Sequence, residues 1–314
     1  MTADRDAIIP ISSQPDQPQR ASAAGDSPQG DEGARLLAAL GLDPAAPAEA
    51  ATVAPEAPAD AEAADEERLA PLAFIRYALE RHHRTIESSR LPETLIATFQ
   101  RTIFGDLMAA TGASQAPQVP EEVARVAQGK VGERDVALAR LSIGAPAAVA
   151  GLEELIALGV KRILVVGTGG SLQPALPIGA LAIPTGAIRE EGTSFHYAPA
   201  GVEVTPDADL ARALGEAVAA LGAPVAFGPV WTTDAPYREL RSKVTVYSAM
   251  GALAVEMEAS ALFALSAFRQ VRLAMLLAIS DELFHEWRPG FHAEELRLAQ
   301  RLAAQAALAV AASA

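Results

Sequence analysis

Apolar positions beyond residue 70 fall into two patterns that alternate along the chain. Leu72, Ile75, Leu79 and Ile86 recur at three-, four- and seven-residue spacing, which predicts a helix over residues 71–87. A short strand is expected over 94–99, a helix over 102–110 and a strand over 135–143. Pro146 suits the first turn of the next helix, where its missing N–H has no helical partner to lose, and that helix should end near Gly159. Residues 162–166 (RILVV) are apolar after the first position and rich in β-branched side chains, as in strands buried on both faces. Further strands are predicted over 179–188, 223–230, 252–256 and 271–280. Thr205-Pro206-Asp207 opens a helix with a cap, a proline and an acid in the first turn, and residues 294–311 close the chain as a helix. The alternation specifies a three-layer α/β/α sandwich. Periodicity alone does not fix its strand order.

Composition changes the picture at one end only. The chain has 314 residues and a net charge of −14, but the first 70 residues hold 14 acidic and four basic side chains, 20 Ala, 8 Pro and no aromatic residue. Such a segment cannot bury enough apolar surface to offset its ordering entropy, so residues 1–70 are expected to be a disordered acidic tail. Residues 33–42 (GARLLAALGL) could form a short helix within it. The remaining 71–314 form one domain with 25 acidic and 21 basic residues. Without cysteine there is no disulfide, thiolate metal site or cysteine nucleophile, and no metal is expected. The apolar runs are too short to span a bilayer, no signal peptide is evident, and the acidic balance disfavours nucleic acid. A cytoplasmic protein is the expectation.

Four segments carry candidate chemistry. Val165-Val166-Gly167-Thr168-Gly169-Gly170-Ser171 ends a buried strand in glycines and hydroxyls, which suits either a tight structural turn or a backbone cradle for an anion. It is neither a Walker loop nor a dinucleotide fingerprint. In Val255-Glu256-Met257-Glu258-Ala259-Ser260 two acids flank a methionine where a strand meets an apolar helix. They are either first-turn helix acids or a grip on the vicinal hydroxyls of a sugar. Asp281 directly follows the apolar run 276–280, at the strand end where open α/β sheets place ligands, and burial there would fit it for general acid work. Arg189-Glu190-Glu191 suggests an ion pair ahead of a Gly-Thr-Ser turn and His196.

Taken in order, Ile143-Gly144-Ala145-Pro146, the helix from Glu153 to Gly159, GTGG, AIREEGTS, VEMEASALFAL and ISDEL resemble the nucleoside phosphorylase family that includes purine nucleoside and uridine phosphorylases. The resemblance implies a phosphorylase/hydrolase-like sandwich around a mixed, partly barrel-like sheet, assembled as a homotrimer or homohexamer. It implies a pentosyltransferase of purine salvage that cleaves a nucleoside with phosphate as co-substrate and no other cofactor, giving free base and pentose 1-phosphate. In that reading Glu256, Met257 and Glu258 hold the ribose, Asp281 is the catalytic acid at the base, and Thr168, Gly169 and Arg101 bind phosphate. Trp231 and Tyr237 of Gly228–Tyr237 face the base. The sequence departs from the family at Val165, where many members carry arginine, and at Ala97-Thr98-Phe99-Gln100-Arg101, which lacks the glycine of the usual GDPxR loop. Water in place of phosphate, or nucleoside binding without catalysis, are the alternatives. The absence of a Gln-x-Arg element after Tyr237 favours a purine over uracil.

Overall fold

The computed structural model describes residues 67–116, 119 and 125–313. The helix expected over 33–42 and almost all of the 1–70 tail lie outside the described residues.

The first helix, α1 (Pro71–Glu80), has proline in its first turn and buries Ile75, Ala78 and Leu79. It is shorter than the 71–87 pattern predicted. The backbone turns into the left-handed region at His83 (φ 53°), and Thr85 and Ser88 then exchange side chain–backbone hydrogen bonds of 3.1 and 3.2 Å. Such local bonds compete with helix continuation. Ile86 still packs on the core from beyond this break, which is why its spacing mimicked one helix.

The strands are β1 (Thr94–Thr98), β2 (Ser114–Gln115), β3 (Arg125–Val131), β4 (Arg134–Arg140), β5 (Arg162–Ser171), β6 (Leu181–Glu190), β7 (Ala226–Thr233), β8 (Ala254–Glu256), β9 (Arg272–Glu282) and β10 (Arg288–Pro289). They form one mixed sheet in the order β10-β9-β6-β7-β8-β5-β1-β4-β3-β2, and β9 also pairs with β5. That extra ladder closes β5, β8, β7, β6 and β9 into a ring, from which β1, β4, β3 and β2 extend as an open wing. The centre is the parallel β5–β9 pair, whose register sets Val165 opposite Met275 and Thr168 opposite Ala278.

Helices cover both faces. On one side α1, α3 (Ala145–Ala157) and α6 (Ala259–Phe268) pack against Leu95, Ile163 and Met275. On the other, α2 (Arg101–Thr111), α4 (Ala208–Ala220) and α7 (Glu294–Ala312) pack against Ile96, Leu164 and Leu276. Alternation along β1, β5 and β9 therefore feeds two cores, as continuous apolar strands require. Asp207 caps α4 by accepting from the Leu210 N–H at 2.8 Å, as the Thr-Pro-Asp pattern implied. A smaller cluster of Leu172, Trp231, Val244 and Val255 sits under α5 (Arg241–Ala249). Among the described residues no helix is long and apolar enough to cross a membrane.

Candidate active site

Strands β5 and β9 run parallel, so their carboxyl ends lie together, and β8 meets them from the opposite direction. Gly170 is the meeting point, registered with Val255 of β8 on one side and Asp281 of β9 on the other. The glycine-rich segment is not a tight turn, one of the two forms that the sequence left open. Thr168, Gly169 and Gly170 continue β5 as strand through an irregularity between the two glycines. Close approach is what requires glycine here. A Cβ on Gly169 would lie 2.8 Å from the Val255 carbonyl oxygen. One on Gly170 would lie 2.3 Å from Leu283 Cδ1 and 3.1 Å from an Asp281 carboxylate oxygen.

A cavity of about 620 Å³ opens at this junction, and Thr168, Glu256, Met257, Glu258, Tyr237 and Asp281 all line it. Residues from four separate parts of the sequence thus meet at one cavity. Gly169 does not line the cavity and Gly170 does, because Gly169 is turned against β8.

The acids of β8 and the start of α6 are tightly held. Glu256 Oε2 accepts from the N–H groups of Glu258 and Ala259, both at 2.7 Å, and Thr232 donates to Oε1 at 2.5 Å. Glu256 thereby satisfies N–H groups that the helix start leaves unpaired. Glu258 Oε1 accepts from the Gly144 N–H at 2.6 Å, fixing it from the loop ahead of α3. Burial lifts both carboxyls above the ordinary range. Three donors oppose this at Glu256, while the neighbouring Glu256 charge lifts Glu258 further. Asp281 is also buried, and both its oxygens are engaged. Ser280 Oγ lies 2.7 Å from Oδ1, and Trp287 Nε1 donates to Oδ2 at 2.9 Å.

The opposite wall is open and aromatic. Tyr237 is 98% exposed, Trp287 61% and Phe291 54%, with the last two rings 6.4 Å apart. Glu239 stands among them, half-buried. Trp231, expected at the base, is fully buried instead, 4.8 Å from the Tyr247 ring and away from the cavity. Its position on β7 points inward to the α5 cluster, and alternation leaves no route to the cleft.

Among the described residues lining the cavity, the end near Thr168 carries no cation. Thr98 donates to Gln100 Oε1 at 3.1 Å, and Gln100 Nε2 donates to Thr168 Oγ1 at 3.0 Å. Gln100 takes the inward position where β1 exits into α2. Arg101, expected at phosphate, is the exposed first residue of that helix and does not line the cavity. Val165 is buried in the core. Arg189 does not pair with its neighbouring acids. It donates to Ser194 Oγ at 2.9 Å and to the carbonyls of Ala198, Pro199 and Val202, and stacks on Phe195. Those acids have other partners: Glu190 pairs with Lys243, and Glu191 accepts from Ser260 Oγ at 2.8 Å. His196 is exposed outside the cavity.

Sequence reading missed Gln100, Glu239, Trp287 and Phe291. Gln100 was hidden beside the more conspicuous Arg101. Trp287 and Phe291 follow the Asp281 strand closely enough to fold back on it, a signal that aromatic residues in a post-strand loop could have supplied. Among the described residues, no cluster of three or more His, Cys, Asp or Glu is arranged to hold a metal ion.

These features define a class: an α/β protein with an acid-lined small-molecule cavity at the carboxyl ends of its central strands. The model of the phosphorylase superfamily matches residues 105–314, well over half of the chain. The chain is 38% identical over 166 residues to a uridine phosphorylase of Treponema pallidum, covering 49% of this chain and 64% of that protein. It is 33% identical over 149 residues to a guanosine phosphorylase of Halorubrum lacusprofundi, covering 48% of this chain and 62% of that protein. The matched stretch thus spans just under two thirds of each of these relatives. The structure of a uridine phosphorylase from Vibrio fischeri in complex with 6-hydroxy-1-naphthoic acid superposes with a TM-score of 0.61 at 23% identity, over 70% of this chain and 91% of that one. The chain belongs to the phosphorylase superfamily.

Proposed function

We propose that this protein is a nucleoside phosphorylase that transfers the pentose of a purine nucleoside to phosphate. The observation that carries this reading is the convergence of Glu256, Met257, Glu258, Thr168 and Asp281 on one cavity in a chain of this superfamily. Glu258, with Met257 beside it and Glu256 behind it, holds the ribose. As the glycosidic C1′–N bond stretches, positive charge grows on the sugar, and a nearby carboxylate stabilises it more strongly than it does the ground state. The base lies between Asp281 and the aromatic wall of Tyr237, Trp287 and Phe291. The charged residues lining the cavity are all acidic, which supports a base that departs after accepting a proton. A departing uracil anion would meet repulsion instead. Both specificities occur among the names of the relatives, so base choice rests on this chain's own lining.

One observation favours a second reading, hydrolysis. Phosphate normally meets cationic donors, and here, among the described residues, the polar side chains at the end of the cavity near Thr168 are Gln100 and Thr168. Neutral donors suit water. The deciding experiment is release of base from guanosine, inosine, adenosine and uridine with and without phosphate. Phosphorolysis predicts that release requires phosphate and yields pentose 1-phosphate; release that ignores phosphate would establish the hydrolase. We further propose a homotrimer or homohexamer, supported by the exposed apolar side chains of Ile143, which lines the cavity, and of Val246 and Met250 on and just after α5, and light scattering of the purified protein checks it.

A further inference from the structure

We propose that Trp287 is the specificity-determining residue of the base site, and that its indole N–H selects 6-oxopurine nucleosides over 6-aminopurine ones. The inference rests on the purine reading above and deepens it. It starts from how firmly a largely exposed ring is placed. Trp287 lies just ahead of β10, whose Arg288 and Pro289 pair antiparallel with Glu282 and Asp281 at the end of β9. Arg288 also donates to both Glu282 carboxylate oxygens, at 3.2 and 3.3 Å. This pairing holds the indole beside Asp281, and its Nε1 donates to Oδ2 at 2.9 Å. The ring is 61% exposed, yet its one polar atom faces the acid.

The bond sets a donor next to an acid without taking over its proton chemistry. Ser280 Oγ lies 2.7 Å from Asp281 Oδ1 and 3.2 Å from the Gly169 carbonyl oxygen. That hydroxyl can donate to an ionised Asp281, or accept from a protonated one while donating to the carbonyl. Asp281 can therefore carry a proton for the base, and the indole, which only donates, never competes for it. The wall thus presents two adjacent groups to a base edge, a carboxyl and a fixed N–H. Purine edges differ at this point. A 6-oxopurine carries two neighbouring acceptors, N7 and O6, whereas a 6-aminopurine carries the N7 acceptor beside an N6–H2 donor. With N7 at Asp281, O6 of a 6-oxopurine meets the indole N–H. A 6-amino group in the same place would set donor against donor.

The contact also strengthens during the reaction. As the C1′–N bond breaks, its electron pair stays on the purine and spreads toward N7 and O6. N7 takes the Asp281 proton, and the incoming oxygen nucleophile bonds to C1′. A donor at O6 meets more negative charge in the transition state than in the ground state, so the preference appears in kcat/KM. Tyr237 and Phe291 offer exposed ring surface that any purine can use, and the edge is read at one point of an otherwise open wall.

The test measures kcat/KM for inosine, adenosine and purine riboside, which carry oxygen, an amino group and hydrogen at position 6. The wild type is compared with W287F, which keeps an aromatic face and lacks the N–H. The wild type should favour inosine over adenosine by about tenfold or more. In W287F the inosine-to-adenosine and inosine-to-purine-riboside ratios should each fall about fivefold or more, because inosine alone loses a hydrogen bond. The ring lies largely outside the core, and a thermal melt checks that W287F is folded. No preference for inosine in the wild type, or an equal loss on all three substrates in W287F, would overturn the assignment and leave nucleoside cleavage standing. Cleavage of uridine and of no purine nucleoside would overturn it together with the purine reading. A wild-type protein that releases no base from any nucleoside would sink nucleoside cleavage as well.

Discussion

The two walls of the cavity are built by different means. On the β8–α6 wall, Glu256 takes three hydrogen bonds, two from backbone N–H groups, and Glu258 is pinned by Gly144 from a segment 114 residues away. On the facing wall Tyr237, Trp287 and Phe291 come from short loops and stand more than half exposed, and Glu239 has no partner among the described residues. A preorganised donor or acceptor does its work without reorganising as charge develops. An exposed aromatic surface offers area and stacking but little positional precision. On the function proposed above, the contrast predicts a sugar end fixed for transition-state stabilisation and an adaptable base end. Damage on the two sides should therefore appear in different kinetic constants.

The largest effect is expected from Glu258→Gln. The amide keeps the shape and the contact with Gly144 but cannot ionise, as the Glu258 carboxyl, raised to about 8, can when a sugar cation forms beside it. Loss of one such electrostatic partner costs roughly 10²–10³ in kcat, with a smaller change in KM. Steady-state kinetics on the preferred nucleoside checks this, with a thermal melt to show that the variant is folded. Because burial raises the Glu258 carboxyl to about 8, replacing it with a neutral amide should not lower stability near neutral pH. A loss carried by KM alone would show that this wall binds the ground state and the transition state equally, and the contrast would fail.

Gly170→Ala probes the seam between the walls. The added methyl would meet Leu283 Cδ1 at 2.3 Å and crowd the Asp281 carboxylate at 3.1 and 3.3 Å. Leu283 Cδ1 is the far end of a side chain that lines the cavity, so it can swing aside, but only by taking up cavity space. Overpacking of this kind costs about 1–3 kcal/mol, here at the low end because one side chain can yield. KM should rise about tenfold, since 1.4 kcal/mol of lost binding is a factor of ten. Calorimetry together with kinetics separates the two costs. A large fall in melting temperature with unchanged KM would mean that the strand, not Leu283, had moved.

The same division explains what the sequence could reveal. Strands β1, β5 and β9 and helices α3, α4 and α7 were legible because burial forces apolar runs and helical spacing on them. The acids at 256, 258 and 281 were legible because charged residues at the ends of buried strands are costly without a purpose. Helix α5 was not, since it buries only Val244 and its Arg-Ser-Lys-Val-Thr-Val-Tyr sequence carries no apolar stripe. Gln100, Glu239, Trp287 and Phe291 were illegible for a related reason. Their positions depend on how loops fold back over the sheet, and no periodic constraint records that. Trp231 and Arg101 misled in opposite ways. An aromatic on a candidate base strand is as useful to a core as to a ligand, and an arginine beside the inward position is drawn outward by solvation.

The smallest effect is expected at Tyr237. Tyr237 is 98% exposed, so its ring contributes almost nothing to the folded state by burial and has surface to gain only when a base lies against it. Stacking of this kind is worth about 0.5–1.5 kcal/mol. Tyr237→Ala should therefore raise KM for the nucleoside by about two- to tenfold and leave kcat and the melting temperature unchanged. Measuring KM for several bases in the same variant gives a further discrimination. An adaptable stacking wall predicts similar proportional losses for purines and for uridine, because every base presents a π-face. A loss confined to one base would mean that Tyr237 reads its edge through the phenol, and the base wall would then be as specific as the sugar wall opposite.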